Sequence, residues 1–495
     1  MPPLGEKSLS ELDPSVEVPT YDRSAVSSGI VHFGVGGFHR AHQAMYLDAL
    51  MNQGKAMSWG ITGVGVLAHD RRMQEVMRAQ DCLYTLVVKH PDGSLEPRVI
   101  GSIVDYLFAP EDAEAVLARL VDPSTRIVSL TVTEGGYSVN EATGQFDDSD
   151  PDIQHDLQPG VVPRSAVGFL TEALARRRAA GVEPFAVMSC DNIQGNGEVA
   201  ARMVIGFAGR RDAELASWVE HNVSFPNSMV DRITPVTTDE DRTLLAERFG
   251  VEDAWPVVCE PFTQWALEDR LPLGRPPLED VGVQVVADVG PYELMKLRLL
   301  NASHQAMCYL GYLSGYRYAH EVSSDPLFIR FLRGYMDDEG TPSLAPVPGV
   351  DLTMYKRQLI ERFANSEIAD TLARLCAWSS DRIPKWLVPV VQHQLDTGGE
   401  MRRSALVIAS WARYAEGVDE AGQPIEVVDR RSDALLARAQ QQQADPLAFL
   451  RDGDLFGGLS DDERFTTAYV EALESLHANG ARATLERWEQ ESAPG

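Results

Sequence analysis

Short apolar runs alternate with helix-length amphipathic stretches through the first half of the chain. Residues 29–36, Gly-Ile-Val-His-Phe-Gly-Val-Gly, are apolar enough for a strand buried on both faces. Residues 42–52 then follow a helical pattern, and 59–66 repeat the apolar, glycine-bounded character of the first run. Further β-rich runs lie at 84–88, 127–133 and 185–189, with helical patterns at 113–120 and 166–178 between them. Strands alternating with helices predict a parallel sheet covered on both sides. The loop 269–282 carries Pro272, Pro276 and Pro277 and marks a break. Beyond it the pattern is helical almost to the end, with Pro- and Gly-marked interruptions near 343–349 and 398–399. The division expected is 1–285 as an α/β dinucleotide-binding domain with an N-terminal arm, and 286–495 as a mostly helical domain.

Composition narrows this picture. A chain of 495 residues is too long for one core, and 44% hydrophobic with 24% charged residues is ordinary globular content. The net charge of −29 disfavours nucleic acid and anionic membranes as partners. No apolar run reaches the ~18 residues of a spanning helix. Five scattered cysteines, none in a C-x-x-C pair, read as small buried hydrophobes. No clustered Cys/His set or H-E-x-x-H suggests a metal. The expectation is a cytoplasmic protein.

The first strand runs into Gly34-Val-Gly-Gly-Phe-His-Arg-Ala-His42, a turn at the start of a helix. Glycines there let backbone approach a pyrophosphate. Gly34 and Gly36 match the first two positions of G-x-G-x-x-G, and His39 stands at the third. Gly37, Phe38 and Arg40 belong to the same turn, where a cation would meet phosphate. Asp70, after the second strand, is the candidate for the adenosine ribose and would favour NAD over NADP; capping of the helix beginning at Arg71 is its other reading.

Residues 291–311 form an apolar segment broken by Lys296, Asn301 and His304. On an ideal wheel of about 100° per residue, His304 falls roughly 80° and Asn301 roughly 140° from Lys296. Burial lowers the pKa of a lysine and makes it a usable base. Lys, Asn and His on one buried face suit the binding and deprotonation of an alcohol. Tyr292 and Lys296 also fit a Y-x-x-x-K spacing, but beyond the nucleotide domain, where that motif has no role. Polar clusters after the strand at 185–189, with Asn192, and around Asp231 add candidate substrate contacts.

Five motifs together resemble the polyol-specific long-chain dehydrogenase family over nearly the whole chain. They are G-V-G-G-F-H-R-A-H (34–42), S-C-D-N (189–192), M-V-D-R-I-T-P (229–235), K-L-R-L-L-N-A-S-H (296–304), and R-L-C with S-S-D-R-I-P-K (374–385). The resemblance implies a Rossmann-type N-terminal domain, a mostly α-helical C-terminal domain, an active site in the cleft between them, NAD as cofactor, no metal, and a monomer. It implies Lys296 as general base, Asn192 and Asn301 as donors to the reacting oxygen, and His304 as a positioner. Glu293 would pass protons to solvent. Asp231, Arg374 and Arg382 would contact substrate hydroxyls, and Glu134 would lie near the cofactor. Ala302, Ala377-Trp378 and Arg382 depart from the family pattern on the substrate side. The lead reaction implied is D-mannitol to D-fructose. Within the family, fructuronate or tagaturonate reduction and arabinitol or sorbitol oxidation are the alternatives. A non-catalytic NAD(H) sensor is the alternative outside it.

Overall fold

Glycine-bounded apolar runs become strands in the first part of the molecule. A computed structural model describes residues 3–139 and 144–491. The chain divides into two units, Met1–Gly290 and Pro291–Gly495. Among the described residues all the strands lie in the first unit: β1 (Ser28–Phe33), β2 (Gly60–Gly65), β3 (Tyr84–Lys89), β4 (Leu95–Ile100), β5 (Ile103–Phe108) and β6 (Ile127–Leu130). They continue with β7 (Ala186–Ser189), β8 (Ser228–Asp231), β9 (Val257–Cys259), β10 (Gln264–Glu268) and β11 (Gln284–Val286).

The main sheet has the order β5-β2-β1-β6-β7 with every pairing parallel. The chain steps outward from β1 through β2 to β5, then returns to pair β6 with the other edge of β1. That reversal makes the carboxyl ends of β1 and β6 a topological switch point, where doubly wound sheets bind ligands. Alternate residues of β1 face opposite layers. Val31 and Phe33 pack with the helices Ala113–Val121, Ala166–Ala180 and Asn196–Arg211. Ile30 packs with Leu47, Leu50 and Met51 of the helix Gln43–Asn52 on the other side.

Two smaller sheets flank this core. β4-β3-β9 forms one, and β11-β10-β8 the other, with β8 antiparallel to β10. The sequence pattern did not announce β4, β5 or the short strands β8 to β11. The proline-rich loop precedes β11, which pairs with β10 and so ties the chain to the first unit up to Gly290.

The second unit is helical. Its centre is the helix Ala302–Leu313, packed with Arg402–Tyr414. The segment Glu463–Glu491 is two helices joined at Gly480, which has φ +80°. All five cysteines are buried and unbridged. Among the described residues, no helix is long and apolar enough to cross a membrane.

The glycine turn generates a first prediction. Gly34 has φ +90°, and a Cβ there would lie 2.1 Å from the Thr131 carbonyl oxygen. At Gly36 a Cβ would meet nothing nearer than the Gly34 oxygen at 3.8 Å. Gly34→Ala is expected to lose at least about 2 kcal/mol in a urea melt. Gly36→Ala should melt like the parent; equal stability losses in both would contradict the geometry.

Candidate active site

The mouth of the switch point is built on Gly34. Its carbonyl accepts the Thr131 hydroxyl at 2.7 Å, and the Gly36 N–H returns to it at 2.7 Å. Gly36 opens the short helix Gly37–Ala41, and the chain turns at His42 before Gln43–Asn52 begins. Beneath the turn, the His39 ring stacks on His32 with centroids 3.4 Å apart and planes 13° from parallel. A third glycine normally serves close helix–strand packing. Here two flat imidazoles fill that space, which gives the incomplete fingerprint a physical reason. Burial pushes the His32 pKa down to about 3 and also lowers that of His39. Both rings are therefore neutral at physiological pH.

Arg40, expected at a phosphate, serves the fold instead. It is 2% exposed. Its guanidinium donates to the carbonyls of Gly36 and Trp255 and lies over the rings of Tyr84 and Trp255. Phe38 is partly buried against His42, with ring centroids 5.0 Å apart. Asp70 sits just past β2. Its carboxylate accepts the Leu67 N–H at 2.9 Å and makes no side-chain cap for the helix Arg71–Ala79. A Cβ on Gly65, the last residue of β2, would fall 2.6 Å from the Asp70 Cβ. A bare backbone at Gly65 thus admits the acid to the strand end. The glycine turn and a partly exposed carboxylate at the neighbouring strand end suit a dinucleotide with a free ribose 2′-hydroxyl.

The loops after β6 and β7 are tied together by Asp191. Its carboxylate accepts the N–H groups of Val132 and Thr133 and the Tyr137 hydroxyl. Glu134 opens the turn Glu134–Tyr137; its side chain lies outside the described residues. Asn192 is exposed beside Asp191. Asn196 bridges the Asp191 carbonyl to both main-chain groups of Ser228, so the loop after β7 is fastened to β8. Asp231 ends β8 and is buried. Asp191 and Asn196 were not singled out in the sequence. Their signal was the run of short polar and glycine residues, 189–197, that follows the strand.

In the second unit the segment around Lys296 departs from the ideal wheel. The helix Gly290–Met295 passes into a π-helical turn, Lys296–Asn301, before α-helix resumes at Ala302. The Ala302 N–H donates to the Leu297 carbonyl, five residues back. In an i→i+5 turn of about 4.4 residues, positions five apart are separated by roughly 50° rather than 140°, which puts Asn301 nearer the Lys296 face than the ideal wheel does. Lys296 is 8% exposed and Asn301 4%. Glu293, three residues before Lys296 on the same face, is buried too.

His304 follows on the next turn. Its ring packs on Phe363 at 4.7 Å. Burial pushes its pKa down to about 3, reinforced by Arg374, Arg362 and Arg382 and opposed by Asp370. Arg374 is exposed and paired with Asp370 through two hydrogen bonds of 2.6 and 2.5 Å. Arg382 donates to the carbonyls of Arg374 and Leu375. Glu293, Lys296, Asn301 and His304 thus share one helix, with Arg374 and Arg382 in the charge field of the histidine. Arg362 and Asp370 complete that field and were missed; Asp370 stands four residues before Arg374, a helical ion-pair spacing visible in the sequence.

Comparison with known proteins covers the same stretches of chain. The profile of the mannitol dehydrogenase Rossmann domain matches residues 28–280, and that of the mannitol dehydrogenase C-terminal domain matches 288–477. A mannitol 2-dehydrogenase of Phaeosphaeria nodorum is 48% identical over 98% of this chain and 85% of its own length. One from Neosartorya fischeri is 46% identical over 98% and 99%. Among solved structures, the Pseudomonas fluorescens mannitol 2-dehydrogenase ternary complex with NAD and D-mannitol is 46% identical. Its TM-score is 0.88, covering 99% of this chain and 100% of that one. A substrate-free D-sorbitol dehydrogenase is 37% identical with a TM-score of 0.91, covering 97% and 100%. With its α/β first unit, its helical second unit and both family profiles matched in order, the chain belongs to the mannitol dehydrogenase family.

Proposed function

We propose that the protein is an NAD-dependent polyol dehydrogenase that oxidises D-mannitol at C2 to D-fructose and also catalyses the reverse reduction. The observation that supports this reading is the π-helical turn Lys296–Asn301, which carries a buried amine and a buried carboxamide and whose widened winding brings their faces together. The Pseudomonas fluorescens relative that holds NAD and D-mannitol supports it. A monomeric, cytoplasmic enzyme is part of the proposal.

When bound, NAD supplies the hydride acceptor. Gly34, Gly36, Gly37 and Phe38 would hold it at the turn, Asp70 at the ribose, and Glu134 beside it. Lys296 as neutral amine takes the proton of the C2 hydroxyl. The Asn192 and Asn301 carboxamides donate to that oxygen as negative charge develops on it, a stabilisation worth about 10²–10³ in rate per donor. Glu293 carries the proton from Lys296 towards solvent. In reduction, protonated Lys296 returns it. Neutral His304 positions the reacting oxygen or its neighbour, and Asp231, Arg374 and Arg382 bind the remaining hydroxyls.

The arginine pairing favours a neutral polyol over a hexuronate. Arg374 already meets a carboxylate, and Arg382 is engaged by main-chain carbonyls. A substrate carboxylate would want an uncommitted bidentate guanidinium. NADH formation with mannitol, sorbitol and arabinitol, set beside NADH consumption with fructose and fructuronate, tests the assignment. Fastest turnover is expected with mannitol and fructose; preference for fructuronate would overturn it.

Three predictions follow from the roles. Lys296→Ala should lower kcat by about 10³ or more while NADH still binds, as followed by fluorescence titration. Asp70→Ala should erode the preference for NAD over NADP, read as the ratio of kcat/KM values; an unchanged ratio would remove Asp70 from the ribose. His304 is neutral at every pH well above 3. His304→Gln should therefore reduce kcat without moving the midpoint of the pH–rate profile between pH 5 and 9. A limb that vanishes in this variant would show that His304 titrates there.

A further inference from the structure

Among the described residues the second unit has two π-helical turns, and they pack on one another. The second spans Tyr335–Gly340, with the Thr341 N–H donating five residues back to the Met336 carbonyl. It faces the turn Lys296–Asn301 directly. The fully buried Tyr335 donates its hydroxyl to the Arg298 carbonyl at 2.9 Å. Arg298 lies in the middle of the first turn. A π insertion places one more residue in the turn than an α-helix would, so a carbonyl is left wanting a donor. The Tyr335 hydroxyl supplies one. Arg298 also reaches across with its side chain to the Ser343 carbonyl. The contact is close on the other side as well. A Cβ on Gly340 would lie 3.0 Å from Leu299 Cδ2 and 3.4 Å from the Arg298 oxygen.

The second turn is itself anchored. Glu339 is 0% exposed and accepts the N–H groups of Arg403 and Ser404 at 2.7 and 2.8 Å, at the start of the helix Arg402–Tyr414. The Thr341 hydroxyl donates to the Met336 carbonyl at 2.6 Å. The charged groups facing the Tyr335 ring are Glu339 and Arg298.

We propose that Tyr335 is a positioning residue for catalysis: its hydroxyl on the Arg298 carbonyl holds the first π turn open, and the open turn sets the spacing of Lys296 and Asn301. This rests on the reading of Lys296 as base and Asn301 as oxyanion donor. With the hydroxyl removed, the cheapest repair is for the turn to relax towards α-helical winding. That relaxation swings Asn301 away from Lys296 by the angle the insertion gained. The pair then no longer converges on one oxygen, although nothing that touches the cofactor has changed.

The test is Tyr335→Phe in the full chain, assayed with D-mannitol and NAD. The variant keeps the ring and loses only the hydroxyl. kcat is expected to fall about tenfold to a hundredfold, the scale of a small misplacement of reacting groups. The pH midpoint of kcat/KM should move, because the lysine's surroundings change, while NADH affinity stays at the parent value. A folded Tyr335→Phe enzyme with parental kcat and pH midpoint overturns the inference. If that variant does not fold, Thr341→Val decides by the same readouts. It loosens the second turn from a half-buried position, and a fall in kcat of about threefold or more with unchanged NADH affinity supports the inference. Parental values in it overturn the inference. Lys296→Ala separates the two levels: turnover retained in it removes the reading beneath, whereas its loss beside an unaffected Tyr335→Phe removes only the role of Tyr335.

Discussion

The parallel pairing of β1 with β6 brings Gly34 against the Thr131 carbonyl, and the first unit is arranged around that approach. The pairing exists because the chain, having built outward on one side of β1, returns to its other edge. Only a residue without a side chain can turn there, since the backbone has positive φ and a carbonyl blocks the Cβ position. The loop after β6 is then held by Asp191 from the end of β7, and Asn196 extends the linkage to β8. Three strand ends are thereby placed by a small set of hydrogen bonds from two short polar residues of the loop after β7, Asp191 two positions and Asn196 seven positions beyond the strand.

The second unit answers a different constraint. An amine buried on an otherwise apolar helix is costly in water-poor surroundings. The π turn concentrates this cost in one place, where Lys296, Asn301 and Glu293 share a face. A mid-helix π turn is rare, and its common occurrence at functional sites has a plain basis. It realigns side chains that regular winding would hold apart, and it does so without breaking the helix.

Much of this was legible in the sequence. Apolar runs predicted β1, β2, β3, β6 and β7, and periodicity predicted helices that cover the main sheet, because burial on both faces leaves a strong pattern. The family assignment was legible for another reason: Lys296, Asn301 and His304 keep a fixed spacing within an apolar segment. The strands β4, β5 and β8 to β11 were not: Glu96, Pro97, Arg98 and Asp105 interrupt the apolar pattern of β4 and β5, and β8 to β11 are short pieces closely bounded by polar residues. The wheel for residues 291–311 assumed uniform winding and misplaced Asn301, because a single inserted residue has no composition of its own. Arg40 looked like a phosphate ligand from its position after the glycines. Its burial depends on Tyr84 and Trp255, which are remote in sequence.

The stacked imidazoles beneath the glycine turn give the molecule a floor in acidity. Unfolded, both His32 and His39 would take up protons near pH 6.5, whereas in the folded chain burial holds them neutral, His32 down to about 3. The unfolded state therefore binds more protons throughout that window, and stability drains away as the medium acidifies. Each such histidine removes about 1.4 kcal/mol for every pH unit below its ordinary value. The architecture that accommodates a histidine where a glycine is usual thus ties the nucleotide-binding half of the molecule to near-neutral surroundings.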